Sequence, residues 1–386
     1  MRKTIHSKEV FPDAAWIWLP SPQFDERDRR LHFRRVFELT NIPSTTEIKI
    51  TADTCYILWV NGHWVNRGPA RGFQQHWPFD RINLTPYLKF GENIIAVMVY
   101  QYGCSNYSYI YMNAQGFLLS GRIGDINLGT GNKWRCREAP GYIRMMARAS
   151  GQYSFQEYFD CRKTDGDWKT LEYDDSAWGT GVERAVGCMP WHDFEERGIP
   201  LLTNNIVGSP RVIAFSNHHP APDWRSLQHP GLLYSQETPN WTSCEGALNE
   251  IEFKSEITAL LVDLGTEVVG MLRFHIENSQ EGEILDLMIC EAVNDSVPEF
   301  PVYDGSPKNL FGGRLVLKEG VNEHEFTMPW GMRFLVLFRR DSSRIKIHVE
   351  IRQTIYPLSV TGTFHSSDPF LNKIWRVCEN TQRCCM

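Results

Sequence analysis

The chain has 386 residues, 42% of them apolar and 22% charged, and a formal net charge of −6. Such a length suggests two or three domains with room for substantial cores, and the composition is that of an ordinary globular protein. The acidic balance and the lack of a Lys/Arg run argue against a nucleic-acid partner, and no stretch approaches the ~20 apolar residues that cross a bilayer.

The opening "MRKTIHSKEVFPDAAW" is basic but has no apolar core, so it does not read as a secretory signal. Ten cysteines follow with no pairing rhythm and no C-x2-C. Several, such as Cys55 and Cys290, sit in strand-like apolar runs as small hydrophobes. Reduced thiols and a cytoplasmic location are expected.

Most of the chain is written in strand patterns. "TEIKITA" (46–52) alternates Ile48, Ile50 and Ala52 with polar neighbours. In "YILWVNGHWV" (56–65), Asn61-Gly62 predicts a type I′ hairpin, because both central residues need positive φ. "LTPYL" offers Thr85 as cap and Pro86 as first residue of a single helical turn. "GENIIAVMVY" (91–100) turns at Gly91 and is apolar on both faces, as a central strand should be. In "GDWKTLEYDDSAW" (166–178), Trp168 and Trp178 flank a polar turn and are expected to cover a sandwich end.

From 208 to 256 the periodicity dissolves, which reads as a linker or surface excursion. "ITALLVDLG" (257–265), "VVGMLRFHIE" (268–277) and "EILDLMICEA" (283–292) are three predicted strands. "GRLVLKEGVNEHEFTM" (313–328) reads as a hairpin around Glu319-Gly320. "RIKIHVEIRQTIYPL" (344–358) alternates Ile345, Ile347, Val349 and Ile351 with polar residues, one face buried and one wet. Then comes "GTFHSSDPFLNKIWRVCENTQRCCM". Asp368 caps a helix, Pro369 suits its first turn, and Phe370, Leu371, Ile374 and Trp375 share an apolar face. With no later helix to receive it, this segment is expected to open a further domain and to dock a partner through that face.

The predicted fold class is therefore mainly β: two antiparallel, jelly-roll-like sandwiches and a short C-terminal helix. The expected boundaries are 1–207 for the first sandwich, 208–256 for the linker, 257–360 for the second sandwich and 361–386 for the helix.

Chemistry is harder to find. Nucleophile elbows, phosphate loops and H-E-x-x-H are absent from the sequence, so no cofactor and no metal are expected. His218-His219 reads as solvated loop, and the D-x-D of "TDGDW" lacks the rest of a calcium loop. Glu195-Glu196 and Asp174-Asp175 read as acidic turns, so no catalytic pair stands out. The aromatic block around "NRGPARGFQQHWPFD" (66–80) is more suggestive. Trp64, Arg71, His76, Trp77 and Asp80 combine flat aromatic faces with hydroxyl-fixing groups, as sugar sites do. The alternative is a structural loop whose Trp fills the sandwich edge and whose Arg pairs with an Asp.

In order, "ADTCYILWVNGHWVNRGPARG", "DRINLTPYLKFGENIIAVMVYQYG", "FQEYFDCRKTDGDWKTLEYDDSAW" and "RGIPLL" resemble the N-terminal jelly-roll region of bacterial α-L-rhamnosidases. "LLVDLGTEVVGMLRFHIE", "MRFLVLFRR" and "IRQTIYPLSVTGTFHSSDPFLNKIW" resemble that family's second β-domain and the approach to its catalytic (α/α)6 barrel. The resemblance implies hydrolysis of terminal α-L-rhamnosides with inversion, by a general acid and a base-activated water. It also implies that the catalytic carboxylates lie further along the barrel, at no position of this chain. The chain alone is then an inactive β portion that supports a barrel and contacts a rhamnose-containing glycoside. A stand-alone carbohydrate-binding protein and a structural interaction module remain open, as does a homo-oligomer.

Overall fold

A computed structural model describes residues 5–21, 25–149, 153–217, 240–248, 251–294, 297–299, 311–341 and 343–385. The protein is mainly β, and the chain divides into two compact units. The first comprises residues 1–140, 152–154 and 165–199; the second comprises 141–151, 155–164 and 200–386. The division departs from the expected boundary at 207, because strand Glu157–Asp160 pairs with Gly312–Val316 and so joins the second unit early.

The first unit is a sandwich. One sheet runs Asp193–Glu196, His76–Asn83, Glu47–Asp53, Gly116–Ile123 and Trp16–Trp18, with short strands at its margins. The other centres on Arg29–Leu39, Gly91–Gln101, Cys55–Val60 and His63–Gly68. Ile48, Ile50, Phe117 and Leu119 from one sheet share a core with Phe33, Leu58, Val97 and Val99 from the other. The alternation read in 46–52 thus points its apolar set inward, as a period of two requires. The Asn61-Gly62 hairpin forms with φ of 50° and 79°. The single turn at Thr85–Tyr87 also forms, but Leu84 is its cap, while Thr85 Oγ1 instead accepts from the Thr46 amide at 2.7 Å. Trp168 and Trp178 cover the outer face of the Arg29–Leu39 strand, with the buried His32 ring stacked on Trp168 at 3.7 Å. Burial and the nearby cations of Arg137 and Lys169 hold His32 well below the usual histidine range, so it packs as a neutral aromatic.

The second unit is organised by one strand, Ala259–Ser279, where the sequence suggested two. A bulge between Asp263 and Val268, with Gly265 at φ 86°, lets the strand bend without ending. Its first part pairs with Trp330–Arg339 and Arg211–Ser216, and its later part with Gly320–Glu325 and Ile345–Gln353. The hairpin expected around Gly320 does not form. Gly312–Val316 pairs with Ile284–Cys290, whereas Gly320–Glu325 pairs with Ala259–Ser279. The turn residues sent the chain back, but its register went to a longer strand with more partners to offer. Residues 208–256, expected as a linker, contain strands Arg211–Ser216, Thr242–Leu248 and Ile251–Phe253. His218 and His219 lie outside the described residues.

Two buried carboxylates of the second unit are held by hydrogen bonds. The Asp286 carboxylate, fully buried, accepts from Arg314 Nε at 2.6 Å and from Arg340 Nε and Nη2 at 2.9 and 2.7 Å. Glu157 accepts from the Thr327 amide at 3.0 Å and meets His324 Nε2 at 2.8 Å, fastening Glu157–Asp160 to the neighbouring turn.

Candidate functional site

Helix Pro369–Cys385 starts where the sequence placed it. Asp368 Oδ1 accepts from the Phe370 amide at 2.8 Å, satisfying one of the free amides of the first turn. Asn372 reaches back to Ser366, accepting from its amide at 2.8 Å and donating to its carbonyl at 2.7 Å. The other end is tied to the bulge of Ala259–Ser279. There Asn380 Nδ2 donates to the Glu267 carbonyl at 3.0 Å and Cys384 Sγ does so at 3.7 Å. Hydrogen bonds anchor this helix; burial does not.

No residue of the helix is buried. Phe370 is 66% exposed, and Leu371, Ile374 and Trp375 are between 40% and 43% exposed, with Val377 alongside. Phe364 stacks on Trp375 at 5.4 Å, extending the patch into the preceding segment. These side chains are spaced to share one face.

The aromatic loop is divided by the fold. Arg71 and His76 are exposed, as is Phe73, and Trp64 is half-buried opposite Trp59. Trp77 and Asp80, expected to touch sugar, are taken into the interior. Trp77 packs edge-on to Tyr109 at 6.4 Å. Asp80 accepts from Arg197 Nε at 2.5 Å and Nη2 at 3.0 Å, from Asn66 Nδ2 at 3.2 Å and from the Tyr56 hydroxyl. Strand His76–Asn83 lies between two neighbours in its sheet, so the residues after His76 turn into packed layers on both sides. The alternative reading foresaw the Trp filling the sandwich and an Arg–Asp pair; the arginine is Arg197, not Arg71.

Asp53 was missed by sequence reasoning. It ends strand Glu47–Asp53, is fully buried, and accepts from the Tyr109 hydroxyl at 2.5 Å and Trp191 Nε1 at 2.9 Å. Burial pushes its carboxyl up to about 7, against the pull of these hydrogen bonds. Sealed among neutral donors, it serves as an internal acceptor. An acid closing an apolar strand, in "ITADTCY", was the available signal. Asp165 of the D-x-D pair is occupied by Arg137 at 2.6 and 2.9 Å and by the Tyr173 hydroxyl at 2.8 Å, and its carboxyl is pulled down to about 2 by the arginine hydrogen bonds. Among the described residues, no group of three or more His, Cys, Asp or Glu side chains is arranged to hold a metal ion. Nor is any described helix long and apolar enough to cross a membrane.

No family model matches the chain, and no curated protein matches its sequence. Solved structures do. A GH78 family rhamnosidase of Bacillus sp. GL1 superposes over 97% of this chain and 58% of its own, at 20% identity and a TM-score of 0.79. The fold is that of an α-L-rhamnosidase, over part of its length. An α-L-rhamnosidase from Aspergillus terreus matches over 94% of this chain and 38% of its own, at 19% identity and a TM-score of 0.64. One from Streptomyces avermitilis, solved in complex with L-rhamnose, matches over 93% and 32%, at 17% identity and a TM-score of 0.62. This chain thus spans between about a third and about three fifths of the length of these rhamnosidase neighbours.

Proposed function

We propose that this chain is the non-catalytic β portion of an α-L-rhamnosidase-like glycoside hydrolase, with helix Pro369–Cys385 packing its open face onto a helical catalytic domain. One observation carries the reading: Phe370, Leu371, Ile374 and Trp375 stand exposed on a helix that buries nothing, in a chain whose fold matches only part of each enzyme. Covering such a face stabilises by roughly 25 cal/mol per Å² of apolar area removed from water. The parent reaction is inverting hydrolysis of terminal α-L-rhamnosides in rhamnose-containing glycosides, with both carboxylates supplied by the helical domain. A reducing, cytoplasmic setting fits ten cysteines that form no disulfide among the described residues.

The test compares residues 1–386 with a product that continues into the coding sequence after the Met386 codon. Hydrolysis of an aryl α-L-rhamnoside is expected only from the longer product. Turnover by 1–386, lost on replacing one of its own acids, overturns the proposal.

A second reading, carbohydrate binding by the isolated chain at the 66–80 loop, is favoured by the exposure of Arg71, His76 and Phe73, with Trp64 half-exposed nearby. Trp77 and Asp80 act in that reading only as supports. Loss of L-rhamnose binding in Arg71→Ala/His76→Ala, with unchanged thermal stability, is its expected signature.

A further inference from the structure

The wet face of the second unit sets two histidines side by side. Register pairs His275 of strand Ala259–Ser279 directly with His348 of Ile345–Gln353 on one side, and with Glu323 of Gly320–Glu325 on the other. Their chain neighbours Phe274, Ile276, Ile347, Val349, Asn322 and His324 are all buried. A period of two therefore turns His275, His348 and Glu323 outward on one face. Directly opposed residues hold their Cβ atoms ~5 Å apart. Two nitrogens on one tetrahedral metal, each ~2.0 Å from it, stand roughly 3.3 Å apart, a spacing that opposed imidazoles reach by side-chain rotation.

The contacts that hold the two rings are loose. His275 Nε2 lies 3.3 Å from Glu277 Oε1 and His348 Nε2 lies 3.5 Å from Glu350 Oε1. Both exceed the ~2.7–2.9 Å of a charge-assisted hydrogen bond. Without an ion no three such donors converge among the described residues, and exposed rings change rotamer within nanoseconds. Glu323 Oε1 stands 3.2 Å from His275 Nδ1. A proton donated from Nδ1 to that oxygen leaves the Nε2 lone pair for a metal, the carboxylate–histidine–metal arrangement. Glu350 is claimed by Arg273 at 2.7 Å, and Arg273 and Arg352 share Glu325 at 3.2 and 2.6 Å. That leaves Glu277 as the carboxylate beside the pair, with Lys346 opposite it in register. The four acids Glu277, Glu323, Glu325 and Glu350 outnumber Arg273, Arg352 and Lys346, so the surroundings favour a cation.

We infer that His275 and His348 bind one divalent late transition-metal ion across the two strands, with Glu277 as a third donor and Glu323 orienting His275. Imidazole suits Zn²⁺, Ni²⁺ and Cu²⁺, whereas Ca²⁺ and Mg²⁺ ask for oxygen ligands. An ion held by both strands is bound in this way only while the strands are paired, so it clips the sheet together and stabilises the folded chain. The inference goes beyond the rhamnosidase reading and uses neither the helix face nor the 66–80 loop.

Titration calorimetry on the full chain tests it, with Ni²⁺ and Zn²⁺ as probes and Ca²⁺ as the control. One equivalent of each transition metal is expected to bind below millimolar concentration and to raise the melting temperature, while Ca²⁺ does neither. His275→Gln and His348→Gln should each weaken that equivalent about tenfold or more, and Glu277→Gln and Glu323→Gln several-fold. Both histidines lie on the wet face, so the melting temperature without metal should stay that of the parent. Thiols also take these ions, and Cys378 and Cys385 are exposed. Cys378→Ser/Cys385→Ser should therefore leave the equivalent in place. The inference is overturned if neither Ni²⁺ nor Zn²⁺ binds at millimolar concentration, if either histidine variant binds as the parent does, if the cysteine variant removes binding, or if Ca²⁺ binds as tightly. Rhamnoside turnover by the longer product is a separate readout, so the two proposals fail independently.

Discussion

In strand Ile345–Gln353, Ile345, Ile347, Val349 and Ile351 alternate with polar residues, and all four are buried. In helix Pro369–Cys385, Phe370, Ile374 and Trp375 recur at helical spacing, and all three stand exposed. Both segments announce an apolar face equally clearly. The strand has Ala259–Ser279 beside it and a layer to face, while the helix meets its own unit through the Glu267 carbonyl at its far end. Periodicity states that a face wants covering; only the rest of the fold supplies the cover.

The sharpest way to break this contrast is to charge each face. Val349→Asp places an unpaired carboxylate where 1% of the side chain is exposed, and should cost about 4 kcal/mol or more in urea unfolding. Ile374→Asp should stay within about 0.5 kcal/mol. Equal losses would mean that the helix is packed in solution.

Ion pairs extend the comparison. Asp286→Ala leaves Arg314 and Arg340 without the carboxylate they share in the interior, a loss of about 3–5 kcal/mol by the same measurement. Breaking the half-exposed Arg383–Glu379 pair on the helix with Glu379→Ala should cost under about 1 kcal/mol.

Phe370→Ser/Ile374→Ser probes the open face directly. Sedimentation at rising concentration should show the parent associating and the variant remaining monomeric, with little change in melting temperature. A parent that is already monomeric throughout removes the case for an adhesive face.

A further effect is electrostatic, at the bulge where the helix is tied. Burial, reinforced by the Glu291 charge and opposed by Arg333, pushes the Glu267 carboxyl up to about 7. The folded protein then holds a proton that the unfolded chain releases, so stability is highest below the ordinary carboxylate range. It falls as pH rises towards about 7 and levels off above that. Glu267→Gln should flatten this slope and raise the melting temperature at pH 8. The slope that remains belongs partly to Asp53, which burial also pushes up to about 7.

The candidate sites were legible to very different degrees. Asp368, Phe370, Leu371, Ile374 and Trp375 were readable because helix caps and helical spacing are local. Trp77 and Asp80 were misjudged as sugar contacts because their fate depends on Arg197 and Tyr109, which are distant in sequence. The Gly320 hairpin and the divided Ala259–Ser279 strand failed for one reason: turn chemistry favours a reversal or a kink but does not choose the strand's partner.

By itself the sequence determined the β character, the Asn61-Gly62 turn, the inward alternation of Ile48 and Ile50 and the existence of an apolar helix face. These follow from backbone preferences and periods that act over a few residues. The tertiary structure alone decided which strands pair, which acids are buried and which apolar face is left open. Those outcomes depend on the free energy of covering surface, and that is shared among residues the sequence holds far apart.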